Sequence, residues 1–170
     1  MTAEDRTRWY EGVDHTGVAV TDLDAAVDFF VTWFGAEVVF RLERVDDPTG
    51  RAPARLGAPR DASFALAMLA LGPARLELLQ WWTPQDPVPP AGPHAPGAAH
   101  LAIRVGDVPE ALRRLEQAPG VEVIGGPVTF DSGPTPGLTN AFVRTGFGLL
   151  LELVDWGDGR TTVAGVRRAT

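Results

Sequence analysis

Cysteine and lysine are both absent from the 170 residues, and all 15 basic side chains are arginines. Without thiols there can be no disulfide framework, thiolate nucleophile or cysteine-ligated zinc. Without lysine there is no Schiff-base chemistry and no P-loop. Serine and tyrosine are scarce too: two serines, Ser63 and Ser132, and one tyrosine, Tyr10. Histidine occurs three times, as His15, His94 and His100. What is left for chemistry is imidazole and carboxylate.

The net charge of −7 repels phosphate backbones and argues against a nucleic-acid partner. Long apolar runs are also missing. The uncharged stretch between Asp61 and Arg75 has 13 residues, too few to span a bilayer. The start, MTAEDRTRWY, shows no basic segment followed by an apolar one, so a soluble cytoplasmic protein is expected.

Proline is concentrated in TPQDPVPPAGPHAP at 83–96. Proline cannot donate to a sheet ladder, so residues 83–98 read as an extended connector. On either side the chain repeats itself. Residues 15–31 read HTGVAVTDLDAAVDFFV and residues 100–116 read HLAIRVGDVPEALRRLE. Each run starts with His, alternates as a strand does, then places Asp22 or Asp107 seven residues on as a helix cap. The halves also end alike, with LELLQW at 76–81 and LELVDW at 151–156, identical at four of six positions. Two matching segments in the same order indicate an internal duplication.

The pattern predicts strand Val13–Val20, helix Asp22–Phe34, strand Glu37–Glu43, a loop over 44–60, and strands Ala62–Leu71 and Arg75–Trp81. The second half predicts strand 99–105, helix 108–118 and strands 121–128, 139–145 and 149–154, with a loop at 129–138. Each half is then βαβββ, and a helix followed by runs of strands means α+β. Residues 12–82 form the first unit and 99–156 the second, within one domain, with a tail at 157–170.

Strand side chains alternate between faces. His15 therefore shares a face with Gly17 and Ala19, and His100 with Ala102 and Arg104. Glu77 shares one with Leu79 and Trp81, and Glu152 with Val154 and Trp156. A carboxylate among apolar neighbours is costly unless it is paired or bound to metal. Trp81, Trp156 and Arg104 are candidate ligand-binding residues. A tryptophan wall suits an apolar ligand, and arginine suits a carboxylate. The plainer alternatives are an apolar rim and a solvated strand end. In the loop FDSGPTPGLT at 130–139, Asp131 and Ser132 are weaker candidates, and His94 in the connector is expected to be exposed.

The runs DHTGVAVTDLDAAVDFFVTWFGAEVV and HLAIRVGDVPEALRRLE, with the endings LELLQW and LLLELVDW, resemble the vicinal oxygen chelate superfamily. That group includes glyoxalase I, methylmalonyl-CoA epimerase, extradiol dioxygenases and the bleomycin and fosfomycin resistance proteins. The resemblance covers about residues 12–156. It implies two βαβββ modules forming a curved mixed-sheet cup around a divalent metal, with Ni, Zn, Fe, Mn and Co all open. By position the implied ligands are His15, Glu77, His100 and Glu152, a set similar to nickel-type glyoxalase I. The implied function is a lyase or isomerase that acts on a small oxygenated molecule through an enolate. Glu152 is then the first choice as proton carrier and Glu77 the second.

An antibiotic- or metabolite-binding protein using the same cup is the alternative, and a dioxygenase the third reading. VFRLER at 39–44 resembles the start of an epimerase segment, yet TGRAPARLGAP after it carries no Glu, against a two-base epimerisation. No glutathione-binding motif is recognisable. A homodimer is compatible with open sheets, whose edges need covering.

Overall fold

Helix starts are set by the two aspartates of the repeat. In the computed structural model, which describes residues 12–84 and 92–157, Asp22 is the N-cap of α1 (Leu23–Phe34). Its carboxylate accepts the Ala25 N–H at 3.0 Å. Asp107 caps α3 (Val108–Leu115) in the same way, accepting the Glu110 N–H at 2.7 Å. Gly35 ends α1 in the left-handed conformation, at φ 64°, where its lack of a Cβ removes the steric penalty.

The chain divides into two units after Pro84. The division falls at the start of the proline-rich connector, of which residues 85–91 lie outside the described residues, as do 158–170 of the tail and Tyr10.

The first unit contains β1 (Thr16–Val20), α1, β2 (Glu37–Val45), α2 (Arg51–Arg55), β3 (Ser63–Leu71) and β4 (Ala74–Trp82). Its sheet runs β1-β4-β3-β2, with β1 parallel to β4 and the other pairs antiparallel. The second unit contains β5 (Leu101–Arg104), α3, β6 (Glu122–Thr129), β7 (Thr139–Arg144) and β8 (Leu150–Asp155). Its sheet runs β5-β8-β7-β6 with the same directions. The fold class is therefore α+β, in two mixed four-stranded modules. Among the described residues no helix is long and apolar enough to cross a membrane.

In the first unit, Leu23, Ala26 and Phe30 of α1 are buried on the sheet with Leu69, Leu76 and Leu78. Phe29 meets Phe30 edge-on, with ring centroids 5.4 Å apart. Gln80 of β4 ties sheet to helix. Its side-chain oxygen accepts the Leu23 N–H at 2.9 Å, and its amide donates to the Thr21 carbonyl at 3.1 Å. The second core places Val108, Leu112 and Leu115 of α3 with Val143, Leu151 and Leu153.

Two details differ from the sequence reading. β1 starts at Thr16 and β5 at Leu101, so each histidine stands just ahead of its strand. β4, parallel to β1, begins only at Ala74 after the turn at Gly72, which leaves nothing for Val13 to pair with. The expected loop at 44–60 contains α2, a single turn carrying Pro53. It forms because the Asp47 carboxylate accepts the N–H groups of Thr49, Arg51 and Ala52 and the Thr49 hydroxyl.

Those bonds hold the Asp47 carboxyl at about 2, below its ordinary 3.8. A folded-state value below the unfolded one stabilises the fold above the unfolded value, and the effect is lost as pH falls through the folded one. Asp47→Ala should lower the urea midpoint by a constant amount above about pH 4, with the gap closing toward about pH 2. A gap that persists at the acid end would contradict this assignment. Leu78 is fully buried on the central strand β4. Leu78→Ala should cost about 2–5 kcal/mol, read from the urea midpoint at unchanged slope.

Candidate functional site

Strand register brings each histidine to a glutamate. Gly17 of β1 pairs with Glu77 of β4, and Ala102 of β5 pairs with Glu152 of β8. His15 and His100 lie two residues before these partners, hence on the face the glutamates share. His15 Nε2 stands 3.7 Å from Glu77 Oε2, and His100 Nε2 stands 3.1 Å from Glu152 Oε2. The carboxylates are sheltered, with side chains 19% and 16% exposed, whereas the imidazoles are 38% and 48% exposed.

Two ligands bonded to a metal at about 2.1 Å and at right angles stand about 3 Å apart. The His100–Glu152 pair at 3.1 Å has that spacing and the His15–Glu77 pair at 3.7 Å is wider, and the imidazole–carboxylate chemistry suits a borderline divalent metal. The structure places the expected ligands as two separate His–Glu pairs, one in each unit. Among the described residues no group of three or more His, Asp or Glu side chains is gathered into a metal cluster.

Each pair has a supporting group that the sequence reading did not single out. Asp14 Oδ1 lies 2.7 Å from His15 Nδ1. A carboxylate can only accept here, so Nδ1 carries a proton and Nε2 is the nitrogen turned toward Glu77. That bond holds the Asp14 carboxyl below its ordinary range, with Arg75 adding to the effect. In the second unit Asn140 of β7 donates its amide to Glu152 Oε1 at 2.6 Å, and the ring of Phe142 meets His100 edge-on at 5.7 Å. Asn140 alternates with the buried Ala141 and Val143, so it belongs to the glutamate face.

The second unit also holds a cavity of about 550 Å³ on this face. It is lined by Arg104, Phe130, Thr135, Asn140, Glu152 and Trp156, among others. Of the expected ligand-binding residues, Arg104 and Trp156 therefore face one cavity with Glu152. The loop at 129–138 contributes Phe130 and Thr135, while Asp131 and Ser132 are exposed. Trp81 is placed differently. It packs on Phe64 at 5.2 Å, against a cluster of Phe64, Leu66 and Leu79, and so fills the corresponding face of the first unit. His94 is exposed, as the sequence indicated.

If Asp14 sets the His15 tautomer, Asp14→Ala should move His15 from the Nδ1–H form toward a mixture with Nε2–H. Ring ¹⁵N chemical shifts measured on the metal-free protein check this. Unchanged shifts would show that Asp14 does not govern the ring.

The comparisons agree with this architecture. A 2-epi-5-epi-valiolone epimerase from Actinomyces sp. is 38% identical over 145 residues, covering 84% of this chain and 78% of that protein. A glyoxalase family protein from Bacillus cereus superposes with a TM-score of 0.67 at 22% identity, covering 88% of this chain and 96% of that one. One from Enterococcus faecalis superposes at 0.61 and 24% identity, covering 86% and 99%. These two establish likeness of fold. The sequence profile of the Glyoxalase/Bleomycin resistance protein/Dioxygenase superfamily matches residues 12–153, and the chain belongs to that superfamily.

Proposed function

We propose that the protein is a metal-dependent isomerase, an epimerase that inverts a carbon beside the carbonyl of a small hydroxylated ketone in the cytoplasm. The observation that carries this reading is the His–Glu pair repeated at the same strand register in both units. The epimerase relative at 38% identity supports the reaction class.

His15, Glu77, His100 and Glu152 are the residues that would hold the metal. A divalent ion bound by them supplies Lewis acidity toward adjacent substrate oxygens. The chain's own groups do the rest. Asp14 keeps the His15 lone pair directed at the site, and Asn140 holds Glu152. Trp156 and Phe130 give the substrate ring an apolar surface, and Arg104, Thr135 and Asn140 offer donors to its oxygens. One glutamate takes the proton from the carbon beside the carbonyl. The electron pair of that C–H bond moves onto the carbonyl oxygen as an enolate; water then gives a proton to the opposite face of the carbon, and the hydroxide left takes the proton from the glutamate. With no Cys or Lys in the chain and His94 exposed, a carboxylate is the base at hand.

The aromatic lining also supports the second reading, a protein that binds a small molecule without converting it. Incubation with 2-epi-5-epi-valiolone in ²H₂O separates the two. The epimerase reading expects loss of the C–H proton signal beside the carbonyl, abolished by EDTA and restored by Ni²⁺, Mn²⁺ or Co²⁺. Glu77→Gln and Glu152→Gln should each slow the exchange by about 100-fold or more. Tight binding with no exchange, insensitive to EDTA, would favour the binding protein.

A further inference from the structure

Among the described residues, Arg104 is the one cation lining the cavity of the second unit, and its side chain has no ion pair or hydrogen bond. Six other arginines, Arg41, Arg44, Arg75, Arg113, Arg114 and Arg144, each lie against a carboxylate. Arg51 and Arg55 are likewise unpaired, on the exposed turn α2, but Arg104 differs in lining a cavity with two aromatic side chains, Phe130 and Trp156. The chain carries 22 acidic side chains against 15 basic ones, so carboxylates are not in short supply. Glu152, in the same cavity, is engaged elsewhere. Its Oε1 accepts the Asn140 amide at 2.6 Å, and its Oε2 stands 3.1 Å from His100 Nε2. Arg104 pairs with Val154, two residues beyond Glu152, which separates the two positions by about 6.6 Å along the strand.

The first unit shows the same position without a cavity. Ala19 follows His15 by four residues, as Arg104 follows His100, and pairs with Leu79 in the same register. There Phe64, Leu66, Leu79 and Trp81 form an apolar cluster. The arginine thus stands in the unit whose face is open.

We infer that the molecule taken up by this cavity carries an oxyanion, a carboxylate or a phosphate ester, and that Arg104 selects for it. A neutral hydroxylated ring needs only hydrogen-bonding groups, which Thr135 and Asn140 already supply. A planar guanidinium adds two parallel N–H donors and a full positive charge, matched to a carboxylate or a phosphate. Trp156 lies two residues past Val154 on the same face, so the carbon frame of the anion meets an apolar wall beside its charge. The charge sits at the Arg104 end, away from the Glu152 carboxylate that repels it. This rests on the proposed function, in which the cavity seats the substrate; the hydroxylated ketone then also bears a negative charge.

The full chain is titrated by calorimetry with three ring probes of similar size: cyclohexyl phosphate, cyclohexanecarboxylate and the neutral cyclohexylmethanol. At least one anion should bind about 10- to 100-fold more tightly than the alcohol, and the tighter anion names the group the site is built for. EDTA should leave the preference intact, because Arg104 and not a metal carries it. Arg104→Gln should lower the anion-to-alcohol affinity ratio by about tenfold or more. Arg104→Lys, which keeps the charge and loses the fork, should restore part of it. A residue that only shaped the cavity would change all three affinities together and leave the ratio where it was. Circular dichroism of each variant confirms folding. If Arg104→Gln fails to fold, Arg104→Met takes its place.

Equal affinity for anions and alcohol, or no binding of any probe, would overturn the assignment. So would a preference that Arg104→Gln leaves unchanged or that EDTA removes. Deuterium exchange into 2-epi-5-epi-valiolone tests the epimerase reading separately. Its failure leaves an Arg104-dependent preference for anions standing, and loss of that preference leaves the exchange standing.

Discussion

The candidate site depends on one constraint, the parallel pairing of the first and last strands within each module. Parallel neighbours fix which residues lie opposite one another, and side chains alternate with period two. Gly17 opposite Glu77 and Ala102 opposite Glu152 therefore decide that each histidine, two residues earlier, shares the glutamate's face. A slip of one residue would turn every side chain of the strand over. Register is protected by what lies behind it. Leu76 and Leu78 in the first unit and Leu151 and Leu153 in the second are buried against their helices, and a slip would expose them. The same hydrophobic burial that holds the sheet to its helix thus sets the chemistry of the opposite face.

That opposite face carries carboxylates in half-sheltered positions, which elementary electrostatics disfavours without compensation. Compensation comes from polar neighbours rather than from opposite charge on lysine or arginine. Glu152 has an amide on one oxygen and an imidazole near the other, and Glu77 has an imidazole alone. Around them the two modules diverge. Phe64, Leu66, Leu79 and Trp81 close the first face with an apolar cluster, while the second face opens into a cavity under Arg104 and Trp156. Two sheets of one topology thus offer a packed wall and a pocket.

Much of this could be read from the chain itself. Asp22 and Asp107 cap the helices they were expected to cap, because a short acceptor before an amphipathic run has one clear use. Glu77 and Glu152 were legible because a charge recurring inside an apolar strand needs a partner. α2 was not, since a five-residue turn has too little periodicity to show, and its cap depends on the Asp47 side chain folding back over its own loop. Trp81 and Trp156 read alike in LELLQW and LELVDW, yet one is packed and one lines a cavity. The difference lies in Phe64 and Leu66 of the neighbouring strand, and adjacency across strands is not local in sequence. Asn140 was hidden for the same reason. An asparagine in a strand has many uses, and only the β7–β8 pairing shows that its amide meets Glu152.

Duplication gives a chain two copies of every functional group, and selection can relax one copy while the other keeps the first role. Here the supporting groups have separated in a complementary way. The first unit steadies its histidine through Asp14, and the second steadies its glutamate through Asn140. At the position before His100 stands Ala99, which cannot do what Asp14 does, and at the Asn140 register stands Leu66, which cannot do what Asn140 does. One member of each pair is therefore held and one is left freer. His100 has the ring of Phe142 against it, and Glu77 has Gly17 opposite it, where a Cβ would lie 3.2 Å from Glu77 Oε2. Glu77 and Glu152 thus stand at one strand register in different surroundings.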